Sequence, residues 1–174
     1  MIQGKKVVVV MPAYNAERTI EKTWREVLGQ DIVDLCIVVD DASQDRTLSL
    51  ARSLEKVVAH GHQSNRGYGA NQKTCYRLAL EHGADIIVMV HADYQYTPKL
   101  IPSMVGLVAS GLYSCVLGSR ILGGQALTGG MPVWRYVANR VLTLSRFNSV
   151  SEAVIGRPFA LERLLWDTDA YNAR

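Results

Sequence analysis

At 174 residues the chain is long enough for one domain and too short for two of ordinary size. Its 48% hydrophobic and 20% charged content is that of a folded globular protein, which argues against a disordered tail, a coiled coil or a small disulfide scaffold. Nineteen basic and sixteen acidic side chains leave a formal charge of only +3, and no basic run reaches four residues, so no nucleic-acid partner is expected.

The first residues, Met1-Ile2-Gln3-Gly4-Lys5-Lys6, lead into a strand pattern rather than a signal-peptide cleavage site. Val7 to Met11 is a continuous apolar run, as in a strand buried on both faces, and Pro12 ends it. From about Ala16 to Leu28, Ile20, Trp24, Val27 and Leu28 fall at helical spacing, with Glu21 and Arg25 paired on the other face. Leu35 to Val39 reads as a second strand closed by Asp40-Asp41, followed by a helix from about Asp45 to Leu54. Val57 to Ala59 is a third, short strand, and Tyr68 to Glu81 a helix that stops near Gly83. Ile86 to Val90 is a fourth strand, Pro98 to about Ala109 a helix, and Cys115 to Leu117 the core of a fifth strand. A glycine-rich loop over 123–130 then precedes a helix from about Val133 to Leu144. The stretch from Asn148 to Arg174 has weak periodicity and yields no assignable element.

Strands alternating with helices predict an α/β fold: one domain with a mostly parallel twisted sheet and helices on both faces. Residues 1–147 are expected to form it, with 148–174 an atypical or truncated tail. The three cysteines, Cys36, Cys75 and Cys115, are dispersed and read as buried small hydrophobes in a reducing compartment. The longest apolar stretch, Met104 to Gly118, is broken by Gly106, Ser110, Gly111 and Ser114 and falls short of the roughly 18–20 residues that span a bilayer. The expected location is therefore cytoplasmic or peripheral to a membrane.

In parallel sheets ligands bind where strands end at their carboxyl edge, which directs attention to the polar residues there. After the fourth strand, Asp93 and Gln95 place a carboxylate two residues from a carboxamide. Two such oxygen donors suit a hard cation such as Mg²⁺ or Mn²⁺ that keeps diphosphate oxygens as its other ligands; the alternative is a turn cap at Asp93 beside an exposed Gln95. After the second strand, Asp40 and Asp41 can accept hydrogen bonds from a base or ribose, or simply cap the helix that follows with Ser43 and Asp45. After the first, Tyr14 offers a ring for stacking beside Asn15. Asn65-Arg66-Gly67-Tyr68-Gly69-Ala70-Asn71 lacks the third glycine of a dinucleotide loop and the Gly-Lys-Ser/Thr of a P-loop, leaving Arg66 as a diphosphate contact. His60 and His62 have no third ligand at zinc spacing and read as part of a solvated loop. Arg120 and Arg135 can clamp phosphates or stand as surface residues.

The order of these motifs is more specific than any one of them. Val-Met-Pro-Ala-Tyr-Asn (10–15), Val-Val-Asp-Asp-Ala-Ser (38–43) with Asp45-Arg46-Thr47, Asn65-Arg66-Gly67, His-Ala-Asp-Tyr-Gln-Tyr-Thr-Pro (91–98), Gly-Ser-Arg (118–120) and Pro-Val-Trp-Arg (132–135) together resemble family 2 glycosyltransferases of the GT-A fold. The likeness, over residues 5 to about 144, is greatest to the branch of dolichyl- and polyprenyl-phosphate sugar synthases. It implies a nucleotide-diphosphate sugar donor whose nucleoside is held by Pro12, Tyr14, Glu17 and Asp41. It also implies a metal, Mg²⁺ or Mn²⁺, on Asp93 and Gln95, with Arg120 and Arg135 facing the acceptor phosphate or the leaving diphosphate.

Three departures from the family pattern stand out. His91 occupies the first acidic position of the usual Asp-x-Asp; it can hydrogen-bond a ribose or donor sugar but brings no fixed negative charge. Asn139 stands where the synthase branch commonly has serine. In the tail, Ser151-Glu152-Ala153-Val154-Ile155-Gly156-Arg157 only echoes the family's acceptor turn, keeping the spacing of Glu152 to Gly156. The expected reaction is an inverting displacement, and a lipid-phosphate acceptor at a membrane surface is favoured because a sugar hydroxyl would need a general base and only Glu152 aligns with that role. The rival is a nucleotide-sugar-binding domain without turnover. A nucleotidyltransferase ranks lower, for want of Gly-x-Gly-Thr-Arg after the first strand. An uncovered last helix would leave room for a homo-oligomer.

Overall fold

The computed structural model describes residues 1–94, 96–118, 133–134, 137–138 and 152–156. Among the described residues, six strands form one sheet in the order β3-β2-β1-β4-β6-β5. They are β1 (Val7–Ala13), β2 (Leu35–Asp40), β3 (Val57–Gly61), β4 (Ile86–Met89), β5 (Cys115–Gly118) and β6 (Glu152–Gly156). β1 pairs in parallel with β2 and β4, and β2 with β3. β6 runs antiparallel to both of its neighbours, β4 and β5. Among the described residues, helices α1 (Ile20–Leu28), α2 (Thr47–Ser53), α3 (Tyr68–Glu81) and α4 (Ile101–Ala109) are complete, and 133–134 and 137–138 are helical too.

The period-two alternation of β1 divides the core in two. Val7, Val9 and Met11 pack with Ile20 and Val27 of α1, Ala51 of α2 and Val105 and Val108 of α4. Val8 and Val10 face the other way, with Ile37 and Val39 of β2, against Cys75 and Ala79 of α3. Val7 to Met11 are all fully buried, each side chain contributing roughly 1.5–3 kcal/mol of burial. A run apolar at every position therefore has helices over both of its faces. Cys36 and Cys75 are buried among these layers, and Cys115 is half-buried on β5.

Several boundaries differ from the sequence expectations for identifiable reasons. α1 starts at Ile20 rather than Ala16: the N–H groups of Thr19 and Ile20 both close on the carbonyl of Ala16, a separate turn that side chains at the start of α2 hold in place. The N–H of Ala16 donates to Thr47 Oγ1 at 2.8 Å and that of Glu17 to Asp45 Oδ2 at 3.1 Å. The helix expected over 98–109 begins with a 3-10 turn, Pro98–Leu100, before α4. Pro102 has no N–H to give the carbonyl of Pro98, so a regular helix cannot run through that turn. β3 extends to Gly61 because the chain stays in register with β2 as far as Asp40. The stretch taken for a tail supplies β6, an inner strand. Its apolar run, Ala153-Val154-Ile155, is too short for periodicity to reveal. The loop over 123–130, and most of the helix expected from Val133, lie outside the described residues.

Candidate active site

An open cavity of about 240 Å³ lies at the carboxyl edge of β1, β2 and β4. Pro12, Ala13, Tyr14 and Ala16 line it from the end of β1, and Asp41 from the end of β2. Asn65, Gly67, Tyr68 and Asn71 contribute from the entry to α3, and His91, Ala92 and Asp93 from the end of β4. Pro12, Tyr14, Asp41, His91 and Asp93, widely separated in sequence, thus share one cavity.

Asp41 organises the wall nearest α3. Its side chain is 5% exposed, and it accepts from the N–H of Arg66 and of Gly67, each at 2.9 Å. His62 Nδ1 stands 2.7 Å from Asp41 Oδ1. Burial opposes ionisation of Asp41, but the bond from His62 and the two backbone donors outweigh it and hold the carboxyl below its ordinary range. An ionised carboxylate only accepts, so the proton between the two sits on His62 Nδ1. His62 Nε2 lies 3.0 Å from Thr74 Oγ1 on α3. The turn at Gly67 needs a φ of +82°, which glycine adopts without strain.

His62 corrects the sequence reading, which put it with His60 in a solvated loop. His60 belongs to β3, and the His62 side chain is 3% exposed. The carboxyl-edge rule applied to the third strand points to it, because it directly follows β3. Asn71, another buried polar residue the sequence did not single out, donates from Nδ2 to the carbonyl of Val39 at 3.0 Å and locks α3 to β2.

Asp40, the other acid of the pair, is spent on its own turn, accepting from both the N–H and the hydroxyl of Ser43. Ser43 Oγ in turn takes the N–H of Asn15 at 2.8 Å, and Asn15 Oδ1 the N–H of Gln44 at 3.0 Å, joining the ends of β1 and β2. Glu17 stands outside the cavity lining: its carboxylate accepts from the N–H of Arg46 at 3.1 Å and pairs with that guanidinium at 3.5 Å. Arg66 is exposed and gives its backbone, rather than a described side-chain contact, to Asp41.

From the first turn of α3, Tyr68 stacks on His91 with ring centroids 5.5 Å apart, and its hydroxyl lies 3.1 Å from Nε2. Burial pushes the His91 imidazole below its ordinary pKa, against a smaller upward pull from Asp93. The chain bends just after Asp93, where Tyr94 adopts a φ of +59°. The Tyr94 hydroxyl donates to the Glu26 carboxylate at 2.9 Å, and Lys22 Nζ sits 3.7 Å from the centre of its ring. This bend is anchored to α1 and sets Asp93 on the cavity wall.

Residues 8–163 match the family model Glycosyl transferase family 2. The chain belongs to that family. A UDP-N-acetylglucosamine–dolichyl-phosphate N-acetylglucosaminyltransferase of Methanococcus voltae is 30% identical over 82% of this chain and 62% of its own. A dolichol-phosphate mannosyltransferase of Pyrococcus furiosus is 29% identical over 68% of this chain and 34% of its own. The chain spans less than two thirds of the length of either relative. The crystal structure of glucosyl-3-phosphoglycerate synthase from Mycobacterium tuberculosis, in complex with Mn²⁺, UDP-glucose and phosphoglyceric acid, superposes with a TM-score of 0.64. It covers 89% of this chain and 58% of its own at 23% identity, a likeness of fold.

In this family 2 chain the donor chemistry at the cavity suits a hard divalent cation. Among the described residues no three His, Cys, Asp or Glu side chains gather into a metal cage. Asp93 is exposed on the cavity wall, and Mg²⁺ commonly takes just one or two protein carboxylates and completes its shell with phosphate and water. Gln95, Arg120 and Arg135 lie outside the described residues. Glu152 is placed by its backbone: β6 pairs Ala153 with Met89, so Glu152 stands at the edge where β4 ends, opposite Gly118 of β5.

Proposed function

We propose that the chain is the catalytic core of an enzyme that transfers a sugar from a nucleotide-diphosphate donor to a polyprenyl phosphate, with inversion and with the help of a divalent metal. The observation that carries this reading is the convergence of Pro12, Tyr14, Asp41, His91 and Asp93 on one cavity of a family 2 sheet. The dolichyl-phosphate relatives support the acceptor class, and the Mn²⁺ and UDP-glucose of the structural neighbour support the donor and metal.

On this reading Pro12 and the exposed ring of Tyr14 form the nucleoside wall. Asp41 has acceptor capacity beyond its three internal bonds and takes a donor group of the base or ribose. Glu17 steadies the neighbouring loop through Arg46, and Arg66 meets the diphosphate. Asp93 and Gln95 would hold Mg²⁺ or Mn²⁺, which supplies neutralisation of the charge on the departing diphosphate. Arg120 and Arg135 face the acceptor phosphate or that leaving group.

In one step an oxygen of the lipid phosphate bonds to the anomeric carbon as the bond to the nucleotide diphosphate breaks. A phosphate monoester, with a second pKa of about 6, is largely ionised near neutrality and attacks without a strong base. Glu152 is then not required to take a proton. The acceptor would bring the protein to the inner face of a membrane; among the described residues no helix is long and apolar enough to cross one.

The test is mass-spectrometric detection of polyprenyl-phospho-sugar formed from UDP-N-acetylglucosamine or GDP-mannose with Mn²⁺. Asp93→Ala is expected to lower transfer at least about a hundredfold, the scale of losing a charge-stabilising group. Glu152→Gln should change it little. Severe loss in a folded Glu152→Gln variant would overturn the lipid-phosphate acceptor, and donor binding with no transfer would favour a binding domain without turnover.

A further inference from the structure

His91 stands where the family pattern usually has an acid, and its second ring nitrogen is held by a chain of side chains from α3. Gln72 Nε2 reaches two acceptors, the Tyr68 hydroxyl and Met89 Sδ, the latter at 3.1 Å. Both contacts are satisfied when the amide nitrogen, not the oxygen, faces them. Tyr68 oxygen therefore receives a hydrogen from Gln72 and has its own to give. The candidates are His91 Nε2 at 3.1 Å and Met89 Sδ at 3.8 Å. Imidazole nitrogen is much the better acceptor, and Met89 Sδ already receives Gln72 and, at 3.9 Å, the Tyr76 hydroxyl. Burial also pushes the Tyr68 phenol up, so it keeps the proton it donates. Nε2 is then the unprotonated nitrogen, and Nδ1 carries the hydrogen.

We propose that Gln72 and Tyr68 are positioning residues that fix His91 as its Nδ1–H tautomer, so that it presents a hydrogen-bond donor to an oxygen of the bound nucleotide sugar. This rests on the donor-site reading above and deepens it. A carboxylate at position 91 would accept from ribose or sugar hydroxyls. A fixed Nδ1–H instead favours an acceptor oxygen, such as that of a ribose, a sugar or the diphosphate. No described residue takes Nδ1, and His91 lines the cavity. Among the described residues, then, Nδ1 is left open on the cavity side.

The test reads the tautomer directly by long-range ¹H–¹⁵N NMR of histidine-labelled protein, above the ordinary imidazole pKa of about 6.5. The His91 signals are assigned by their loss in His91→Gln. The native chain should show Nδ1 protonated. Gln72→Glu is nearly isosteric but replaces the amide donor with an acceptor; it should draw the Tyr68 hydrogen away and switch His91 to its Nε2–H form. Tyr68→Phe should release the same preference without adding charge. Native His91 in the Nε2–H form, or spectra unchanged in both variants, would overturn the relay.

Calorimetric titration with UDP-glucose and GDP-mannose in Mn²⁺ reads the consequence. Whichever donor binds the native chain should bind about tenfold more weakly to both variants, the cost of one hydrogen bond. Equal binding would overturn the role of Nδ1–H toward the donor. Absence of binding to the native chain, with the expected spectra, would sink the donor-site reading while the relay stood.

Discussion

Asp41 supplies most of the order at the α3 side of the cavity, because one carboxylate closes three hydrogen bonds, from His62 and from the Arg66–Gly67 turn. Its depressed pKa makes that order pH-dependent with a definite sign. Above the ordinary aspartate value of about 3.9, folded and unfolded chains are both ionised and the contribution is fully present. As pH falls below that value the unfolded chain takes up the proton first, so stability is lost as pH falls through the folded pKa. Asp34 and Asp45 are shifted the same way: for each, burial opposes ionisation and hydrogen bonds to the carboxylate outweigh it. Asp41→Asn should therefore shrink, not abolish, the acid-side loss in urea unfolding followed by circular dichroism. At neutral pH it should also cost about 1–3 kcal/mol for each buried donor left facing an amide hydrogen. An unchanged midpoint at neutral pH would show that the Arg66–Gly67 turn does not depend on this carboxylate. This network was half legible in the sequence. Asp41 at a strand end drew attention, but no spacing rule joins it to His62, twenty-one residues away, until the register of β3 on β2 is known.

At the scale of elements, what could be read in advance was what periodicity carries. The all-apolar Val7–Met11 run announced a doubly covered strand, and α3 begins and ends where its residues said, at Tyr68 and Glu81. The errors fell where tertiary contacts override local pattern. The first turn of the expected α1 is a separate turn whose amides go to Asp45 and Thr47, and the helix after Pro98 opens with a 3-10 turn because Pro102 has no N–H for the Pro98 carbonyl. β6 was invisible because an antiparallel inner strand five residues long is specified by its neighbours rather than by itself. Its place predicts an asymmetry. Val154 pairs with Val88 on one side and Val116 on the other, so Val154→Pro removes an N–H from the interior of the sheet. Loss of at least about 1 kcal/mol in urea unfolding is expected, from the broken ladder bond and its stranded acceptor. A neutral effect would mean that the strand lies at an edge.

For the whole molecule, the sheet brings the ends of β1, β2 and β4 to one edge, and the cavity there has walls from four separate segments, the entry to α3 among them. A ligand bridging those walls favours the folded state alone, so binding appears as added stability. The gain follows the ratio of ligand concentration to Kd, and is about 2.7 kcal/mol at a hundredfold excess over Kd. For a chain of this size each kcal/mol raises Tm by roughly 2–4 °C, so a saturating nucleotide sugar should shift melting by about 5–10 °C. The shift should depend on Mn²⁺ if Asp93 shares a cation with the diphosphate. It should also differ between uridine and guanosine donors if the nucleoside lies, as proposed, between Tyr14 and Asp41. Asp93→Ala should lose the metal-dependent part and keep the base preference, whereas Tyr14→Ala should weaken binding of the preferred nucleotide with or without metal. A Mn²⁺-dependent shift that survives intact in Asp93→Ala would move the metal away from the end of β4, and with it the orientation of the donor across the cavity.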